Sequence, residues 1–139
     1  MKYKGILLDI DNTLYDYKVA HIFSKNVVLK YCVSEFSLSE EKINFAYEKA
    51  RKQVHVELSE TAASHNRLLY FQKMLEILNV NPMKYAIEIY SKYWDSFLDE
   101  LKPFDEIYDF LEKYKNRICL VTDLTANIQY RKIQKLGLE

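Results

Sequence analysis

Apolar positions along this chain fall into two kinds of pattern. Near the ends lie short unbroken runs, Gly5-Ile6-Leu7-Leu8 and Arg117-Ile118-Cys119-Leu120-Val121; between them apolar residues return every three or four positions. A short run without polar alternation predicts a strand buried on both faces, as in a parallel sheet, over Tyr3 to Leu8 and Arg117 to Val121. The longer step predicts helices. From Ser39 to Leu58 it is carried by Ile43, Ala46, Ala50 and Val54, with Ser39 a candidate N-cap. Thr61 to Leu78 repeats it with Leu68, Phe71, Leu75 and Leu78, and Asn79-Val80-Asn81-Pro82 ends that helix and starts the next. From Pro82 to Leu101 the apolar residues cover a wide face, which predicts a helix packed by more than one neighbour, as in a bundle. Ile22, Phe23, Val27 and Leu29, in a segment around Val19 to Val33, supply a fourth helix of less regular period. A last helix is expected after Thr122 through Ile128, Ile133 and Leu136, with Gly137 capping its end.

Each strand run is followed by candidate chemistry. Asp9-Ile10-Asp11-Asn12-Thr13 falls at the carboxyl end of the first strand, where open α/β sheets bind their ligands. Alternate strand residues share a face, so the two carboxylates can converge on one substrate. The competing reading is a polar turn, because Asp, Asn and Thr are all favoured in turns and at helix starts. The second run leads into Thr122-Asp123-Leu124-Thr125. A hydroxyl at a strand end, followed by the N–H groups of a helix start, forms a phosphate cradle; alternatively Thr122 or Thr125 only caps that helix.

Leu8-Asp9-Ile10-Asp11-Asn12-Thr13-Leu14-Tyr15, together with a strand ending in Thr122, resembles the first two motifs of the haloacid dehalogenase-like hydrolases, whose commonest members are magnesium-dependent phosphatases. The resemblance implies an α/β fold: a Rossmann-like parallel-sheet core, only its first part present in residues 1–16 and 102–139, with a four-helix-type cap inserted at 17–101. It implies that Asp9 is a nucleophile forming an aspartyl-phosphate and that Asp11 is general acid, then base. Mg2+ would be held by Asp9 and the main-chain carbonyl of Asp11, and Thr122 would bind a phosphate oxygen, with Asn12 and Asp123 as further phosphate or substrate contacts. Dehalogenating members generally lack the second aspartate, so Asp11 favours phosphoryl transfer. The implied activity is hydrolysis of a small phosphomonoester, a sugar phosphate or nucleotide. A non-catalytic interaction module or inactive fragment is the alternative reading, and a dehalogenase a weaker one. Family members continue into a lysine and an acidic segment that find no counterpart here. The chain therefore reads as truncated after the second motif, its sheet completed by a missing C-terminal segment or by self-association.

Within the expected cap, Thr61-Ala62-Ala63-Ser64-His65-Asn66-Arg67 opens an amphipathic helix with small and polar residues. His65 and Arg67 would contact substrate or phosphate if this turn faces the catalytic site, and water if it does not. Tyr85, Tyr90 and Tyr93 read as core residues with wet hydroxyls rather than stacking platforms. Lys+Arg 20 against Asp+Glu 20 offers no basic patch for nucleic acid. No segment approaches a membrane span or secretory signal, so the protein is expected to be cytoplasmic, with Cys32 and Cys119 reduced and packed.

Overall fold

In a computed structural model the structure describes residues 3–123 and 125–138. Met1, Lys2, Leu124 and Glu139 lie outside the described residues, Leu124 being one position of the second motif. The chain opens with strand β1 (Ile6–Leu8), then helices α1 (Tyr17–Phe36), α2 (Glu40–Glu57), α3 (Arg67–Ile77) and α4 (Pro82–Glu100), then α5 (Ile107–Tyr114), strand β2 (Ile118–Leu120) and α6 (Ala126–Lys135). β1 and β2 pair in parallel, Ile6 opposite Ile118 and Leu8 opposite Leu120. The fold is thus α/β, a short parallel sheet interrupted by a helical insertion, and both strands are shorter than their apolar runs.

The four long helices begin where side chains satisfy free N–H groups. Asp16 accepts from Lys18 and Val19 at the start of α1, Ser39 from Lys42 at α2, Asn66 from Leu68 at α3, and Asn81 from Met83 at α4. Asn66 also explains one correction. The helix expected from Thr61 is split: Ala62–His65 form a separate 3₁₀ turn, and α3 starts anew at Arg67. α1 packs on α2 and α4, and α3 on those same two helices, closing a four-helix ring. The buried residues of α1 are Ala20, Ser24, Val28, Cys32 and the expected Leu29, while the expected Ile22 and Phe23 are exposed. Ala20 and Ser24 are small and one is polar, which is why its period was irregular; Ser24 Oγ donates to the Ala20 carbonyl at 2.7 Å.

Two further expectations are corrected. The strands are not buried on both faces: Leu7 is 77% exposed and Cys119, its partner across the ladder, is exposed too, so that thiol is not packed. The second face has no covering element among the described residues. Tyr93 is fully buried and its hydroxyl is not wet but hydrogen-bonded inside the bundle. Helix α5, absent from the sequence reading, packs beside the C-terminal turn, where Tyr108 donates to the Leu136 carbonyl at 3.0 Å. The segments leading into and out of the bundle run side by side, the Phe104 N–H donating to the Leu14 carbonyl at 3.0 Å and Tyr15 bridging Pro103.

Candidate active site

The first motif is a tight turn at the carboxyl end of β1. The Ile10 carbonyl accepts from Thr13 at 3.3 Å and Leu14 at 3.0 Å, and Asn12 takes a left-handed φ of 58°, which asparagine tolerates better than most residues. The Asn12 amide oxygen accepts from the Tyr17 N–H at 3.2 Å and ties the turn to α1. Ile10 and Leu14 are buried as anchors, leaving Asp9 exposed and Asp11 partly buried. On the neighbouring strand Val121 N–H donates to the Leu8 carbonyl at 2.9 Å, so Asp9 and Thr122 emerge at the same end of adjacent strands. Thr125 holds the N-cap position of α6 without a side-chain capping bond, and Thr122 lies three residues earlier, so neither hydroxyl caps this helix among the described residues.

Asp11 is held by donors on three sides. The Lys132 ammonium contacts both its oxygens, at 2.7 and 2.8 Å; the Tyr15 hydroxyl donates to Oδ1, and Gln129 Nε2 reaches Oδ2 at 3.5 Å. Lys132 is fully buried beside the rings of Tyr15, Tyr17, Trp94 and Phe97. Burial lowers its ammonium from the ordinary lysine range, opposed by the Asp11 carboxylate. Burial, and then the Asp11 charge, push the Tyr15 phenol well above its usual range, so it remains a donor. Ion pairs from Arg131 to Asp95 at 2.6 Å and Lys135 to Asp99 at 3.7 Å fix α6 against α4 and thereby set Lys132 in place.

Beside this cluster opens a cleft of about 340 Å3 lined on the strand-end side by Asp11, Asn12 and Asp123, and on the helical side by Tyr17, Arg51, His55, His65 and Arg67. The structure thus brings five sequence-predicted site residues together: Asp11, Asn12, Asp123, His65 and Arg67. Asp9 and Thr122 are not among the lining residues. Arg67 is buried, donating from Nη2 to the Tyr17 hydroxyl at 2.5 Å and from Nε to the Tyr93 hydroxyl at 3.4 Å. With its oxygen accepting from Arg67, the Tyr93 hydroxyl is free to donate to His21 Nδ1, 2.7 Å away. Burial, and then the Arg67 charge, lower the His21 imidazole to about 4.

Sequence reading missed Lys132, Gln129, Tyr15, Tyr17, Arg51 and His55 in this region. One signal was present: Lys132 stands four residues from both Ile128 and Leu136, on the apolar stripe of α6, where an unpaired lysine would be costly. Among the described residues no three His, Cys, Asp or Glu side chains cluster as a metal site. Magnesium nonetheless commonly uses one or two carboxylates and completes its shell with phosphate oxygens and water, and exposed Asp9 fits that mode. The Asp11 carboxylate is instead taken by the Lys132 ammonium. None of the described helices is long and apolar enough to cross a membrane.

A family model described as haloacid dehalogenase-like hydrolase matches residues 3–139. A ribulose-1,5-bisphosphate 5-phosphatase of Halopiger xanaduensis is 32% identical over 140 residues, 96% of this chain and 58% of that protein. The crystal structure of the putative hydrolase YfnB from Bacillus subtilis, bound to magnesium, superposes with a TM-score of 0.64 at 15% identity, covering 99% of this chain and 61% of that one. The chain accordingly spans about three-fifths of the length of the relatives it matches. Its two strand-end motifs, their parallel pairing and the family match agree: the chain belongs to the haloacid dehalogenase-like hydrolases.

Proposed function

We propose that the protein is a magnesium-dependent phosphatase of a small phosphorylated metabolite, with residues 1–16 and 102–139 in its catalytic core and 17–101 as its cap. The observation that carries this reading is the placement of Asp9 and Thr122 at the same end of adjacent parallel strands, beside a cleft with cationic side chains on its helical wall. The named activity of the Halopiger relative favours a sugar phosphate over a nucleotide.

Asp9 is exposed, and a carboxylate nucleophile needs no general base: it attacks phosphorus, the P–O bond to the sugar breaks, and an aspartyl-phosphate forms on Asp9. Asp9 and the main-chain carbonyl of Asp11 would hold magnesium, which would supply charge neutralisation between carboxylate and phosphate. Thr122 donates to a phosphoryl oxygen. Asp11 takes up a proton from solvent as substrate enters, gives it to the departing sugar oxygen, and later takes one from the water that cleaves the aspartyl-phosphate. To do so one of its oxygens must exchange the Lys132 ammonium for the reacting oxygen, while Tyr15 keeps the carboxyl oriented.

Hydrolysis of p-nitrophenyl phosphate by the full-length protein, with magnesium or with EDTA, tests the proposal. Turnover should require the metal and fall by at least about a thousandfold in Asp9→Asn. Equal turnover in Asp9→Asn removes Asp9 as nucleophile; no turnover in the parent protein moves a non-catalytic binding role to the front.

A further inference from the structure

The helical wall of the cleft holds more positive charge than one reacting phosphoryl group needs. Arg67 is a buried guanidinium with no carboxylate within ion-pair distance among the described residues; its partners are phenols, a backbone carbonyl and the faces of Tyr70 and Tyr93. A buried charge without a counter-ion is costly and marks a place where an anion would be stabilised. Arg51 stands on the same wall, half exposed, and its carboxylate partner Glu48, 3.3 Å away, is shared with Lys25 at 2.6 Å. Two cations on one carboxylate leave a net positive surface.

Two histidines complete the wall. The rings of His55 and His65 meet edge to face at 4.9 Å. The Tyr70 hydroxyl donates its one proton to the Ser64 carbonyl at 2.5 Å, so it must accept from His55 Nε2, 2.7 Å away. That contact fixes His55 as the Nε2–H tautomer, its other nitrogen free of this contact. Asp9 and Thr122, where the reacting phosphoryl group belongs, do not line this cleft, whereas Asp11 and Asp123 form its strand-end side. A substrate held between strand ends and cap therefore presents a part other than its scissile phosphate to these four side chains.

We propose that Arg51, His55, His65 and Arg67 form a subsite for a second phosphate group, so that the substrate is a sugar bisphosphate bound across the cleft. This rests on the phosphatase reading for which phosphate is cleaved, but the subsite is tested by binding alone. In the full-length protein carrying Asp9→Asn, calorimetric titration with a pentose bisphosphate should give an affinity at least about tenfold above that of the pentose monophosphate, the value of one good charge-assisted contact. Adding Arg51→Ala should reduce that preference about tenfold, and His65→Gln by a smaller factor. Both are exposed positions, so folding is not at stake as it is for Arg67. A preference that is absent in the parent, or unchanged in both variants, overturns the subsite. Failure of p-nitrophenyl phosphate turnover would sink the phosphatase reading and leave the binding ratio to decide the subsite independently.

Discussion

Phe97 in α4 is fully buried among the rings of Tyr15, Tyr17, Tyr93 and Trp94, while Leu7 in β1, equally apolar, is 77% exposed. The difference lies in where each element finds its neighbours. A helix in the bundle is covered on two sides by other helices of the same insertion, α4 by α1 and α3, and each shows the face it buries in its own three- to four-residue step. A strand is covered only by what the fold lays across the sheet from a distance, and here one face of each strand is packed and the other bare. Stability in this chain should therefore reside in the bundle, and the strand-end chemistry should lean on it.

The contrast can be broken most directly from the bundle side. Phe97→Ala removes a ring that touches both the bundle and the Tyr15 linker, and should cost roughly 3–5 kcal/mol in urea unfolding. A cost below 1 kcal/mol would mean the bundle is not the stable unit. Next in size is Lys132→Met, which leaves the partly buried Asp11 carboxylate without its ammonium and should cost about 2–3 kcal/mol. In the double variant with Asp11→Asn most of that loss should return, giving a coupling that a purely steric effect would not produce.

A smaller effect comes from His21. Its folded-state imidazole lies near 4, below the ordinary 6.5, so between those values the unfolded chain binds more protons and stability rises with pH. The contribution is complete above about 6.5 and is lost as pH falls towards 4, because a protonated Nδ1 can no longer accept from Tyr93. His21→Gln should flatten the slope of unfolding free energy against pH over that interval; an unchanged slope assigns it to other groups. Least of all, Leu7→Ser should change stability by no more than about 0.5 kcal/mol, since the side chain it replaces is already in water. A large loss would show that the bare face is covered in solution.

The sequence carried the helices well, because capping residues and three- to four-residue steps are local signals. Ser39, Asn81 and Pro82 mark their helix starts without reference to the rest of the fold. Asn66 was the exception, a cap at the end of the small and polar stretch from Thr61, which passes for the first turns of a single helix, so the break before α3 was read through. α5 was legible but short: Ile107, Phe110, Leu111 and Tyr114 hold the three- to four-residue step for only two turns. At the candidate site, the motif residues were legible by spacing, but their supports were not. Lys132 meets Asp11 across 121 positions, and Arg51 and His55 reach the cleft only because α2 packs on the 3₁₀ turn that carries His65. Such contacts are properties of packing; Lys132 shows itself by standing on the apolar stripe of α6, but that period does not say which residue it meets.

The hydrogen bond from Phe104 to Leu14 also bears on how the protein can be rebuilt. The two ends of the bundle already touch, so nearly all the loop-closure entropy of the intervening chain is spent on folding the insertion itself. Replacing it by a short Gly-rich turn, or by a different insertion with adjacent termini, asks nothing new of the flanking backbone. Tyr15 is the exception, because its backbone forms this junction while its hydroxyl holds Asp11. Any transplant that shifts the junction also re-aims the carboxylate, so grafts should be cut on the bundle side of Tyr15.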